Sequence, residues 1–128
     1  MQSYKKIVAI EGRTCVDMAL HQILPAALHY SRDLAKAVVD KKAIGITCKA
    51  EQALLDRLSA ACDRLYDKCQ DLSDKLASIP KKTEDAVNYM SNTILPAMAT
   101  LREDADLLEQ LTDKSYWPYP SYSDLLFY

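Results

Sequence analysis

From Leu54 to Ile79 an apolar side chain returns every third or fourth residue: Leu54, Leu58, Ala61, Leu65, Cys69, Leu72, Leu76 and Ile79. Only a helix lays such positions along one face. A second stripe follows the same rule through Val87, Met90, Ile94, Ala97, Leu101, Ala105, Leu108 and Leu111. Glycine occurs only at Gly12 and Gly45, and long β-branched alternating runs are missing. The chain therefore reads as all-α.

Three helical segments are expected, at about 4–42, 49–78 and 81–111. Gly45 follows Lys41 and Lys42, the usual composition of a helix C-terminus. Thr47 is a candidate N-cap for the second segment. Glu84 and Asp85 suit the first turn of the third, where the helix dipole favours negative charge. Short connections force neighbours antiparallel. The expected architecture is an elongated up-down-up three-helix bundle over residues 1–112, followed by an extended tail over 113–128.

Two proline sites interrupt the pattern. "QILPAALHYSRDL" echoes "TILPAMATLREDA", each placing "ILPA" inside a helical stretch. Proline removes a backbone donor and clashes with the preceding turn, so bends are expected near Pro25 and Pro96. Both stripes stay in phase through their prolines, which favours kinked helices over five shorter ones. The echo is compatible with duplication or with two helices meeting one packing problem.

Several classes drop out. The formal net charge is -2 with both signs mixed, so no nucleic-acid footprint is present. No apolar run approaches the ~20 residues that span a bilayer. The N-terminal stretch lacks the apolar core of a signal peptide, so a cytoplasmic location is expected. Cys15, Cys48, Cys62 and Cys69 form no C-x-x-C pair and read as small buried hydrophobes in a reducing compartment.

Catalytic signatures are equally thin. No Gly-rich phosphate loop can be built from two distant glycines. Asp17 and His21 stand four apart, and with His29 they are the only candidates for a metal- or cofactor-binding bundle. They lack the second histidine and glutamate of a specific motif. The acidic run "REDADLLEQLTD" reads as a solvated face. Catalytic, cofactor and metal residues are therefore expected to be none in this chain.

The end of the chain carries the strongest signal. Six of ten aromatic residues fall in "DKSYWPYPSYSDLLFY". Pro118 and Pro120 force extended backbone, which cannot satisfy its own polar groups. Its rings must cover the bundle or dock elsewhere. The candidate docking residues are Tyr116, Trp117, Pro118, Tyr119, Pro120, Tyr122, Leu125, Leu126 and Phe127.

This tail resembles the extreme C-terminus of type III glutamine synthetases, a D-K-x-Y-W-P-x-P-x-Y-x-D-L-L-F pattern. The matching positions are Asp113, Lys114, Tyr116, Trp117, Pro118, Pro120, Tyr122, Asp124, Leu125, Leu126 and Phe127. "IEGRTCVDMALHQILPA" resembles the same family's I-E-A-R-T-x-x-D-M-x-x-x-x-I-L-P-A segment, with Gly12 at the usual alanine. "ILPAMATLREDADLLEQLTDK" resembles its third long helix. The resemblance implies a C-terminal helical portion of an enzyme that joins ammonia to glutamate, using ATP and magnesium or manganese. It also implies a homo-oligomer in which this portion meets its own catalytic domain and neighbouring subunits. The family's metal, nucleotide and catalytic motifs have no counterpart here, so no such residue carries over. The competing reading is an independent helical adaptor that binds a protein through its aromatic tail.

Overall fold

A computed structural model describes residues 2–117, with side chains from Tyr4 onward. The first helical stretch is α1 (Gln2–Met18), a π turn (Ala19–Ile23) and α2 (Leu24–Ala43). The second is α3 (Lys49–Ala77). The third is α4 (Thr83–Tyr89), a π turn (Met90–Ile94) and α5 (Leu95–Leu111), followed by a short 3₁₀ turn (Lys114–Tyr116). No strand occurs among the described residues.

The helix ends follow from local chemistry. Gly45 adopts φ +79°, which a side chain would strain. That turn lets Gly45 N–H reach the Lys42 carbonyl at 3.1 Å and Ile46 N–H the Lys41 carbonyl at 2.9 Å, closing α2 with a Schellman pair. Thr47 does not cap α3. Cys48 takes the cap position without a side-chain cap bond, because its buried thiol is held 3.9 Å from the Val38 carbonyl. Glu84 and Asp85 do occupy the first turn of α4.

Both prolines sit at the start of an α segment, directly after a π turn. Leu24 N–H bonds the Ala19 carbonyl, and Leu95 N–H bonds the Met90 carbonyl, each reaching five residues back. The wider turn places the register change where the proline donor is missing. The helical path therefore does not stop at either proline. Both "ILPA" sites use the same device, with Ile23 and Ile94 ending the π turn.

α3 lies at the centre, packing against α1, α2 and α5. Leu58, Leu65, Cys69 and Leu72 from α3 are fully buried, as are Met90, Ile94 and Leu108 from the third stretch. The first stretch contributes smaller groups, Val8, Ala9, Val16, Ala19 and Ala27. Tyr4 meets Ser91 at 3.3 Å, and Arg102 meets Cys15 at 3.9 Å; both pairs are 87 residues apart. Beyond the core, the Tyr89 hydroxyl donates to the Lys75 carbonyl at 2.8 Å, tying α4 to the end of α3.

One acidic residue departs from the solvated face expected of its run. Asp104 is 6 % exposed, on the buried stripe between Leu101 and Leu108. Arg64 Nε donates to its Oδ1 at 3.2 Å, and Lys68 Nζ stands 2.6 Å from its Oδ2. Lys68 also donates to the Thr100 carbonyl at 3.1 Å. Burial alone would raise this carboxyl's pKa; hydrogen bonds from Lys68 and Arg64 outweigh that and hold it below its ordinary value. Two cations one turn apart on α3 are the physical reason an acid can lie in this seam.

Candidate interface at the aromatic C-terminus

α5 ends at Leu111, and Thr112 turns the chain into extended backbone with ψ 133°. Asp113 then caps the 3₁₀ turn. Its Oδ1 accepts from Ser115 N–H at 3.0 Å and stands 3.2 Å from the Ser115 hydroxyl. Tyr116 and Trp117 close the turn through backbone bonds to Asp113 and Lys114 at 3.0 and 3.1 Å. This local cap aims Tyr116 at α2.

There Tyr116 meets Tyr30, with ring centroids 4.9 Å apart and planes tilted by 49°. Its hydroxyl donates to Asp33 Oδ2 at 2.5 Å. That hydrogen bond, then burial and the charges of Asp33 and Asp113, push the phenol's pKa above its ordinary value. Tyr116 is thus half-buried on its own bundle, and Trp117 is half-buried beside it. Of the other expected docking residues, Pro118, Tyr119, Pro120, Tyr122, Leu125, Leu126 and Phe127 lie outside the described residues. Tyr30 and Asp33 had no special mark in the sequence. Their three-residue spacing on one helix face is the only hint that they share a partner.

His21 Nε2 is 3.5 Å from Asp17 Oδ1, and both side chains are largely exposed. His29 is exposed on α2. No group of three histidine, cysteine or acidic residues converges among the described residues. Burial pushes the Cys62 and Cys69 thiols up to about 11, with Asp63 adding to the first and Cys15 to the second. Such thiols stay protonated at neutral pH and are poor nucleophiles and poor metal ligands.

The bundle has clear relatives. Residues 1–42 match the family profile described as the glutamine synthetase C-terminal domain. A glutamine synthetase of Butyrivibrio fibrisolvens is 30 % identical over 135 aligned residues, covering 99 % of this chain and 19 % of the relative. A glutamine synthetase of Bacteroides fragilis (strain YCH46) is 24 % identical, covering 99 % of this chain and 18 % of the relative. A type-3 glutamine synthetase of Dictyostelium discoideum is 23 % identical, covering 97 % of this chain and 18 % of the relative. The chain thus spans about a fifth of the length of the curated relatives it matches. Similar to these enzymes along nearly its whole length, and to the family's C-terminal domain through residues 1–42, the chain resembles the C-terminal part of a type III glutamine synthetase.

Proposed function

We propose that this chain is a non-catalytic helical arm of a type III glutamine synthetase. It forms an elongated up-down-up bundle over 1–112, bent at Pro25 and Pro96, with 113–128 as its aromatic end. Its role is to hold the catalytic domain and neighbouring subunits in place. The parent reaction is ATP-dependent ligation of ammonia to glutamate in the cytoplasm, by a homo-oligomer.

The observation that carries this reading is similarity along nearly the whole chain to enzymes about five times its length. The seams support it. Arg64 and Lys68 on α3 both reach Asp104 on α5 from one helical turn apart, and the core between them is apolar. The donor set does not fit a metal–nucleotide centre. The buried carboxylate Asp104 is already neutralised by two cations, and among the described residues no three histidine, cysteine or acidic side chains converge. No catalytic step is therefore assigned to a residue of this chain.

Two measurements test the reading. The purified 128-residue chain is expected to form no glutamine from glutamate, ammonia and ATP; turnover would refute it. The Butyrivibrio fibrisolvens enzyme lacking its matching segment is expected to lose its assembled state in sedimentation. Fusing this chain in that place should restore it. Retained assembly in the truncated enzyme would sink the structural role.

A further inference from the structure

α1 is apolar on two sides. Val8, Ala9, Val16 and Ala19 face the core, and Gly12 lies with them against Leu76. Ile7, Ile10, Thr14 and Met18 recur at spacings of three and four on the other side. Ile7 is 55 % exposed, Ile10 51 % and Met18 45 %. Thr14 does not interrupt the stripe with a free hydroxyl, because its Oγ1 donates to the Ile10 carbonyl at 2.9 Å. Leu95, 38 % exposed, lies one helical turn beyond Ser91, which meets Tyr4.

Among the charged residues Lys5, Lys6, Glu11, Arg13 and Asp17, α1 thus carries a second apolar stripe that its own bundle does not cover. Scattered exposed aliphatics need no explanation, but three on one face at helical spacing, opposite a packed face, form a contiguous patch. Beside it, between α1 and the end of α3, runs an open groove of about 370 Å³ lined by Val16, Leu20 and Leu76 together with Arg13, Asp17 and His21. Lys5, Lys6 and Arg13 stand along its continuation.

We infer that the outer face of α1 is the seat of the rest of the glutamine synthetase polypeptide, and that its Ile7–Ile10–Met18 stripe is buried there. This rests on the parent-enzyme reading above. The occupant is specified by what is missing: the relatives carry about four fifths of their length outside the matched region. The tail and α1 would then contact different partners: Tyr116 turns inward onto α2, whereas α1 faces outward.

Methionine oxidation reads the contact directly, because peroxide converts only accessible thioethers to sulfoxides. Met18 is exposed in the chain alone, while Met90 and Met98 are buried and act as internal references. In the isolated chain, Met18 should oxidise far faster than Met90 and Met98. In the Butyrivibrio fibrisolvens enzyme carrying this chain, Met18 should oxidise about tenfold more slowly than in isolation. A double Ile7→Glu, Ile10→Glu variant should leave the isolated chain's melting temperature unchanged and abolish that protection.

Three outcomes would overturn the inference, and they differ. If the fused enzyme assembles but Met18 stays as reactive as in isolation, the face is free and only this inference fails. If the isolated chain already protects Met18 and sediments as a dimer, the occupant is a second copy. If the fused enzyme does not assemble, the parent-enzyme reading fails and takes this one with it.

Discussion

α3 and α1 are built from similar residues and solve different problems. On α3 the large aliphatics Leu58, Leu65, Leu72 and Leu76 share one face and are buried, while the opposite side is mostly charged. On α1 the buried face holds small groups, and the larger Ile7, Ile10 and Met18 point away from the core. The difference separates two kinds of apolar residue. Those of α3 are explained by the fold of this chain, and those on the outside of α1 are left uncovered by it.

The sharpest way to break that comparison is to truncate one residue of each kind. Leu65→Ala leaves a cavity at a fully buried position and should destabilise by about 3 to 4 kcal/mol. Ile10→Ala, on the exposed side of α1, should change stability by less than about 0.5 kcal/mol. Chemical denaturation of both variants measures the gap. Equal losses would mean that α1's outer face is packed within this chain after all.

A second, smaller effect tests the polar seam of α3. Asp104→Asn keeps the shape but removes the charge that Arg64 and Lys68 neutralise, at a cost of about 1 to 2 kcal/mol. The sign with pH follows from the lowered carboxyl pKa. The contribution is present above the ordinary carboxylate range and is lost as pH falls through the folded-state pKa. The difference in stability between wild type and variant should therefore be full at neutral pH and shrink in acid. A difference independent of pH would show that the charge is irrelevant to the seam.

How much of this was legible depends on which forces act locally. Helical periodicity is a property of one segment, so the stripes of α3 and α5 could be read directly, and Leu58 to Leu76 and Met90 to Leu108 are buried as those stripes require. Gly45 was legible for the same reason. Asp104 was not, because a carboxylate becomes buriable only when another helix brings cations to it. Its place between Leu101 and Leu108, opposite Arg64 and Lys68 beside the Leu65 stripe, was the available signal. The π turns were missed since proline predicts a disturbed helix but not how the bonding is repaired. The seat of Tyr116 needed both ends of the chain: Asp33 is 83 residues away. The outer stripe of α1 was visible as letters, but its exposure became known only once the inner face was fixed.

The aromatic end offers a weaker probe of the inward-facing class. Tyr116→Phe removes the hydroxyl donated to Asp33 and keeps the ring on Tyr30. Because the hydrogen bond raises this phenol's pKa, its contribution persists at neutral pH and is lost only as pH rises through the folded-state value. Spectrophotometric titration should show one fewer late-ionising tyrosine in the variant than in the wild type. An unchanged titration curve would mean that Tyr116 does not rest on α2 in solution.

The smallest expected effect lies on the buried face of α1. Gly12 is buried mid-helix, and a Cβ there would stand 3.0 Å from Leu76 Cδ2 and 3.3 Å from Cδ1. Alanine should gain up to about 1 kcal/mol of helix propensity over glycine. Against that, Leu76 must move by a few tenths of an ångström. The crowding atoms are the ends of a flexible side chain, and Leu76 borders the open groove beside α1, so it has room to turn. Gly12→Ala is therefore expected to stabilise the chain slightly, by no more than about 0.5 kcal/mol. A loss above 1 kcal/mol would show that Leu76 is locked, and that the groove side of α1 is as tightly finished as the seam of α3.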